Sequence, residues 1–562
     1  MKTTVWAAEE SIRGLIQTAL RAAMAEGALP EAELLPIQVE VPADPKNGDF
    51  STNAAMAHAR AFRMAPMKIA AAILDRLSLE NTPFASVQAA GAGFINFVLA
   101  PVFYADAVFE VLDKGDQYGR SDVGAGKRAL VEFVSANPTG PMHVGNARGG
   151  AIGDSLAELL TWAGWQTERE FYINDGGNQI EKFGLSLDIR YRQHFGDPVE
   201  MPEDSYHGPD IIEHAENFAA IYGDRYLHAE EAERRKALVE YALPLNIAGL
   251  ERDLKKYKIT YDTWFKESTL HESGAAKHVV DLLTEKGCTY ELDGALWFKA
   301  EQFGCEKDFV LRRSNGFYTY IVPDIAYHYN KLCIRGFDLA VDVLGADHHG
   351  YVPRLKAALT ALGVDADRLK VVLMQMVNLM QDGKPVKLSK RSGKAITLVT
   401  LLDEMPVDAA RFFFNLREAN THCDVDLELA LKQSSQNPVY YCQYAHARIC
   451  SIFRKIEQAG GVWQPCSREE AMLLTAPEEK ALIRYVASLT GEVEAAAQSL
   501  DPSRMTRYAV ELATLFHQFY NACRCDVEDA KLRAARLTLC RAVGTVLRNV
   551  LGLLKVEAPE KM

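Results

Sequence analysis

Ala129-Leu-Val-Glu-Phe-Val134 leads through Ser135 into Ala136-Asn-Pro-Thr-Gly-Pro-Met-His143-Val-Gly145-Asn146, and from there into Ala147 to Ala163. The first six residues, mostly apolar, predict a short buried strand. Ile152, Leu156, Leu159 and Leu160 fall on one side of a predicted helix that stops at Gly164. Thr167-Glu-Arg-Glu-Phe-Tyr-Ile173 reads as a second strand. Strand, helix and strand in so short a span predict a parallel, doubly wound sheet of Rossmann type. Ligands of such a sheet sit beyond the carboxyl ends of its strands, where the Ala136–Asn146 loop lies.

The rest of the chain arranges itself around this unit. Residues 1–115 predict an α/β module. Its first helix would be capped by Ser11, carry Ile12, Leu15, Ile16 and Leu20 on one face, and end near Gly27. Lys46-Asn-Gly-Asp-Phe-Ser-Thr-Asn53 reads as a turn, and Gly91-Ala-Gly-Phe-Ile-Asn-Phe-Val98 as the closing strand. The glycine-rich segment 116–126 reads as a linker into a catalytic unit expected to span 116–400. Residues 195–300 are charged and predict a mostly helical insertion between two halves of the sheet. The sheet resumes at Phe337–Leu344, with a helix from about Tyr351 and a further strand over Leu369–Val377. A helical junction is expected over 401–436 and an all-α bundle over 437–562. The stripe Leu539, Val543, Val546, Leu547, Val550 and Leu554 predicts bundle core.

Composition narrows the class. The 562 residues are 48% apolar and 24% charged, as expected of a soluble globular chain of three or four domains. A net charge of −13 argues against a polybasic binder, although one basic face would suffice for nucleic acid. The N-terminal stretch has acids where a signal peptide needs apolar residues, and no run approaches 18 apolar residues. Ten scattered cysteines, with only Cys523-Arg-Cys525 closely spaced, predict reduced thiols in a cytoplasmic enzyme and no zinc site.

Two loops carry chemistry. Gly140 and Gly145 allow a flat or anionic ligand to approach the backbone, and the N–H groups of the following helix can face phosphate. His143 can donate to a phosphate oxygen whose charge grows in the transition state. The second loop, Gly383-Lys-Pro-Val-Lys387-Leu-Ser-Lys390-Arg-Ser-Gly393-Lys394, holds five cations in twelve residues. Lys387 and Lys390 can stabilise pyrophosphate leaving the α-phosphate. Together the loops predict activation of a carboxylate by ATP, with His143, Lys387 and Lys390 as the catalytic groups.

These loops resemble the two signatures of class I aminoacyl-tRNA synthetases. Asn146 stands in place of the second histidine, which restricts it to binding, while Leu388 replaces methionine and Arg391 replaces serine. The resemblance is specifically to the arginyl-tRNA synthetase family and covers nearly the whole chain. It is carried by Lys46–Asn53, Gly93–Phe97, Phe171-Tyr-Ile-Asn-Asp-Gly-Gly-Asn-Gln179, Gly345-Ala-Asp-His-His-Gly350, Asn437-Pro-Val-Tyr-Tyr-Cys-Gln-Tyr-Ala-His-Ala-Arg448 and Ala558–Met562.

The resemblance implies ATP contacts at Pro138, Gly140, His143, Gly145, Asn146, Gly345, Asp347, Met376, Val377, Lys387, Ser389 and Lys390. Mg²⁺ is expected to arrive with ATP rather than in a protein cage. For arginine it implies Glu132, Ser135, Asn137, His143, Tyr320, Asp324 and His348. Glu132, Ser135 and Asn137 would hold the amino-acid end. Asp324 would pair with the guanidinium, with Tyr320 packed beside it. Bland alternatives stand beside two of these: a buried ion pair for Glu132 and a helix N-cap for Asp324. The adjacent His348 and His349 predict no metal site.

The resemblance further implies an arginyl-adenylate, transfer to the 2′-hydroxyl of the terminal tRNA adenosine, and a monomer that activates arginine only with tRNA bound. The N-terminal module would touch the tRNA elbow. The helical domain would read the anticodon, and Tyr440 and Tyr444 would either stack on its bases or lie in bundle core. Arginine's charge and length make a separate editing domain unnecessary.

Overall fold

Five strands form one parallel sheet in the spatial order Leu369–Met374, Leu339–Gly345, Arg128–Glu132, Gln166–Ile173 and Thr263–Lys266. The structure, a computed structural model, describes residues 2–386 and 397–562. Strand order reverses between Arg128–Glu132 and Leu339–Gly345, so the crevice of this doubly wound sheet opens there. In register, Glu132 lies beside Asp342 and Gly345 beside Met374, so the expected ligand-binding residues share one edge.

The helix Gly145–Trp162 packs tightly on the sheet. A Cβ on Gly153 would lie 2.2 Å from Cγ of Phe133, so only glycine permits this approach. The fully buried Asp154 of the same helix gathers three cations. Its Oδ1 accepts from Arg169 Nε at 2.9 Å and Lys555 Nζ at 2.8 Å, and its Oδ2 from Arg411 Nη2 at 2.6 Å. Burial pushes this carboxyl up, but Arg411, Lys555 and Arg169 outweigh it and hold the group below its usual range. One carboxylate thus ties the first signature helix to a core strand, to the Val407–Phe414 helix and to the end of the bundle.

Several expectations change. Residues 195–300 contain the helices Pro209–Tyr222 and Glu231–Lys256, but they are not all insertion. Thr263–Lys266 is the edge strand of the core sheet, and Thr289–Leu292, Ala295–Phe298 and Phe309–Arg312 form a separate antiparallel sheet. These strands are four residues each and flanked by charged helices, too short to impose a period. The predicted strand Leu369–Val377 ends at Met374, and Val377–Gln381 begins a small sheet with Lys384–Pro385 and Cys423–Asp426. The junction 401–436 is therefore not purely helical. Ser11 lies inside a helix, Thr4–Ala25, whose cap is Thr3 accepting from Trp6 N–H.

That helix packs on the helices Pro66–Leu74 and Pro101–Lys114, and the module's antiparallel sheet is formed by Phe50–Thr52, Phe94–Leu99 and Phe84–Ala90. The N-terminal module docks on the bundle: Asp49 pairs with Arg484, and Tyr118 Oη donates to the Val486 carbonyl at 3.0 Å. After Asn437 the described elements are all helices, closing with Ala530–Leu553, and the predicted apolar stripe is fully buried. No described helix is long and apolar enough to cross a membrane.

Candidate active site

The strand Arg128–Glu132 ends in backbone that is costly to hold. Val134 has φ +69° and Ser135 φ +42°, the left-handed region that a β-branched residue rarely enters. This turn aims Ser135 Oγ back at the sheet, where it donates to Glu132 Oε1 at 3.0 Å and accepts from Tyr172 N–H at 3.1 Å. Asn137 beyond it is exposed, while Pro138 is buried with its carbonyl held by Asn246 Nδ2 at 3.0 Å.

His143 is exposed, and its Nδ1 accepts the Gly145 N–H at 3.1 Å. An accepting Nδ1 leaves the neutral ring's proton on Nε2, the atom free to donate outward. The helix N-terminus differs from expectation. Gly145, Asn146 and Ala147 all spend their N–H groups locally, on His143 Nδ1 and on the His143 and Val144 carbonyls. A tight first turn thus replaces an open row of backbone donors at these three positions, and His143 Nε2 remains able to donate outward.

The second loop enters and leaves at anchored points. Val386 N–H donates to the Leu379 carbonyl at 2.7 Å. Thr397 bridges to His143, and Leu398 N–H donates to the Met142 carbonyl at 2.8 Å. Thr397 also opens the Leu398–Glu404 helix with a capping box closed by Thr400. Lys387, Leu388, Ser389, Lys390, Arg391 and Lys394 lie outside the described residues.

Tyr320 is the N-cap residue of the helix Ile321–Tyr329, and Asp324 lies within that helix. Pro323 sits in its first turn, where a missing N–H costs nothing. Asp324 is four residues inside and does not cap the helix. One residue joins the predicted set: Tyr351 donates its hydroxyl to Asp324, stacks on Tyr320 at 5.7 Å and 24°, and meets His348 edge-on at 6.3 Å. Burial raises the Asp324 carboxyl to about 6. The Tyr351 hydrogen bond and His328 pull it down, and the carboxylates of Glu132 and Glu267 add to the rise. Burial, then Glu267 and Asp324, push the Tyr172 phenol upward too. Glu132 and Glu267 therefore lie close enough to Asp324 to act on it, and Tyr172 and Tyr351 adjoin it, with Tyr320 stacked on Tyr351. Glu132 has a cation partner in Lys331, whereas the side-chain hydrogen bond shown for Asp324 comes from the neutral Tyr351 hydroxyl, a setting that suits a planar cation.

Beneath it runs a buried ion network. Lys331, fully buried, donates to Glu132 Oε2 at 2.5 Å and to Asp342 Oδ1 at 2.9 Å. His328 meets Asp342 Oδ2 at 2.6 Å and the Asp324 carbonyl at 2.7 Å. Burial lowers the Lys331 ammonium, but Asp342, Glu132 and Glu170 outweigh it and raise it overall. Glu132 is thus in a buried ion pair, the bland reading of this residue, and its Oε1 also lies under Ser135. Lys331 belongs to a π-helical turn, Asn330–Ile334, which redirects it from helix periodicity toward the sheet.

Gly345 and Asp347 stand at the end of Leu339–Gly345, with Asp347 exposed. Met376 is exposed and Val377 half-buried. Their chain segment is clamped by Arg148, fully buried on the signature helix, which donates to the carbonyls of Gln375 at 2.8 Å, Thr421 at 3.0 Å and Glu418 at 2.9 Å.

On the bundle, Tyr440 and Tyr444 stack on each other at 6.2 Å and 7°, with Tyr444 exposed. Arg448 lies between Tyr444 and Tyr520, 5.0 and 4.7 Å from their ring centres. These tyrosines form an aromatic and cationic surface, not bundle core.

Four residues escaped the sequence reading: Glu267, Lys331, Tyr351 and Arg148. Tyr351 directly follows the Gly345–Gly350 motif and Arg148 follows Asn146 by two positions, so proximity to the motifs was the signal. Glu267 and Lys331 carried none, because their partners are remote in sequence.

Three family models match the chain. Residues 10–99 match the arginyl tRNA synthetase N-terminal domain, 107–450 the class I (R) tRNA synthetase catalytic domain, and 442–562 the DALR anticodon-binding domain. The arginine–tRNA ligase of Caldanaerobacter subterraneus is 50% identical over 100% of both chains, and that of Acetivibrio thermocellus 46% identical over 100% of both. The solved arginyl-tRNA synthetase of Thermus thermophilus shares the fold, with a TM-score of 0.73 at 24% identity over 98% of this chain and 100% of that one. The chain belongs to the arginyl-tRNA synthetase family of class I tRNA synthetases.

Proposed function

We propose that this arginine–tRNA ligase works in two steps at the crevice between Arg128–Glu132 and Leu339–Gly345. The arginine carboxylate attacks the α-phosphate of ATP, the bond to pyrophosphate breaks, and arginyl-adenylate forms. The 2′-hydroxyl of the terminal tRNA adenosine then attacks the mixed anhydride and releases AMP. The reading rests chiefly on the carboxylate pocket of Asp324 and Glu267, walled by Tyr320 and Tyr351, beside the signature loop.

Asp324, with Glu267, holds the guanidinium, and Tyr320 and His348 close the pocket. Glu132, Ser135 and Asn137 orient the amino-acid end. Pro138, Gly140, Gly145 and Asn146 shape the phosphate side of ATP. Gly345 and Asp347 receive its ribose, and the backbone at Met376 and Val377 its adenine edge. His143 donates from Nε2 to the phosphate, and Lys387, Ser389 and Lys390 follow the pyrophosphate as it leaves. No side-chain nucleophile takes part; positioning and electrostatic stabilisation carry the rate. Mg²⁺ enters with ATP. The N-terminal module, residues 1–115, meets the tRNA elbow, and the bundle, residues 437–562, stacks unpaired anticodon bases on its tyrosines. The enzyme acts as a monomer in the cytoplasm.

Pyrophosphate exchange with each amino acid in turn, with and without tRNA, tests this reading. Exchange is expected with arginine alone and only when tRNA is present. Exchange with another amino acid would contradict the pocket, and exchange without tRNA would contradict the requirement for it.

A further inference from the structure

Cys525 and Cys540 bring their sulfurs within 3.7 Å, although 15 residues separate them in the chain. Cys525 lies in the connector between the Ser503–Ala522 and Ala530–Leu553 helices and is partly exposed. Cys540 is fully buried in the last helix. The pair differs from the closely spaced Cys523-Arg-Cys525, whose Cys523 is buried. Cys525 also lines the groove that holds Tyr444, Arg448, Tyr520, Arg524 and Arg533. A half-buried cysteine thus stands with its sulfur in contact with that of a buried one, beside a cationic surface.

We infer that Cys525 and Cys540 form a peroxide-sensitive dithiol that closes to a disulfide at the edge of the bundle's aromatic groove. The Cys525 sulfur attacks one oxygen of hydrogen peroxide, the O–O bond breaks, and the leaving hydroxide takes the proton lost by the Cys525 thiol and departs as water. Cys525 is then a sulfenic acid. The Cys540 sulfur attacks it, the S–O bond breaks, and a second water leaves with the Cys540 proton. Two thiols are oxidised by two electrons and one peroxide is reduced to two waters. The hydrogen bond from Cys540, then burial, which opposes it, and Arg536 leave the Cys525 thiol below its usual pKa, which favours it as the attacking group.

The bond has a geometric consequence. A disulfide holds its sulfurs about 2.05 Å apart, so the pair must close from contact distance. Cys540 is fixed in helix core, and the connector must therefore move. It carries Arg524 and Asp526, which line the groove. Oxidation is expected to shift this wall.

The test treats the full-length protein with hydrogen peroxide, blocks remaining thiols, and maps peptides without reduction. A Cys525–Cys540 crosslink is expected, reversed by dithiothreitol and absent from Cys525→Ser, a near-isosteric change at a half-buried connector position that serves should Cys540→Ser fail to fold. A wild-type protein without this crosslink, or with Cys525 joined to Cys523, would overturn the assignment. A second arm measures affinity for an arginine-accepting tRNA transcript and rests on the function proposed above, which the crosslink does not. Oxidised wild type is expected to bind on the order of tenfold more weakly, with Cys525→Ser unchanged by peroxide. Equal affinity before and after a mapped crosslink would overturn the link to the groove.

Discussion

The N–H of Leu398 donates to the carbonyl of Met142 at 2.8 Å, one residue from the bridge between Thr397 and His143. Thr397 and Leu398, which follow the lysine-bearing segment in sequence, are thus tied to the histidine loop. About 250 residues of sequence separate Thr397 from His143, and the fold makes these two residues neighbours.

Thr397→Ala should loosen this tie by removing the capping box that starts the Leu398–Glu404 helix. A lost cap costs about 1 kcal/mol, roughly fivefold in rate if the helix start orders the loop in the transition state. Arginine-dependent pyrophosphate exchange should fall by that factor while arginine KM stays nearly constant.

Arg148→Lys keeps a charge but cannot span three carbonyls at once. The Gln375–Met376 turn should relax, and ATP KM should rise by about tenfold with arginine KM little changed. Equal increases for both substrates would point to general loosening of the sheet instead.

Asp324 titrates near 6 in the unliganded protein. Only its ionised form pairs with a guanidinium, so kcat/KM for arginine should be level above pH 6 and fall by about tenfold per unit below it. Stability runs the other way. The folded pKa is above the unfolded value near 3.8, so the ionised group costs stability as pH rises through 6. Asp324→Asn should therefore raise the thermal stability of the unliganded protein at neutral pH, by roughly 1–3 kcal/mol.

Lys331→Met should be severe, because it strands Glu132 and Asp342 in the interior. Breaking a buried pair from one side costs about 3–5 kcal/mol. Burial raises the Asp342 carboxyl, but Lys331 and His328 outweigh it and hold it well below its usual range. Its contribution to wild-type stability is full above pH 4 and disappears as pH falls through the folded value. Denaturation measured across pH should accordingly show the variant's deficit largest near neutrality and shrinking in acid.

The legible parts of this chain were those in which local pattern and tertiary role agree. Arg128–Ile173 reads as strand, helix and strand because its apolar runs and 3.6-residue stripe are uninterrupted. The run from Leu369 to Val377 misleads for a tertiary reason. Its hydrophobicity is continuous, yet Arg148 clamps the Gln375 carbonyl, and the chain passes to another sheet. Thr263–Lys266 is strand only because Gln166–Ile173 offers it an edge. The site divides in the same way. Tyr320 and Asp324 were legible as a motif, whereas Lys331 meets Glu132 across 199 positions and leaves no local trace. The sequence does not show that His143 Nδ1 accepts the Gly145 N–H, because that bond arises from the tight turn after the loop.

In the proposed reaction Asp324 reads the guanidinium. Arginine-dependent pyrophosphate exchange, measured with tRNA present for wild type and Asp324→Asn, tests it most directly. Removing one partner of a largely desolvated charge pair costs about 2–5 kcal/mol, so arginine KM should rise on the order of a hundredfold with ATP KM within about twofold. An unchanged arginine KM in a folded Asp324→Asn protein would contradict the account.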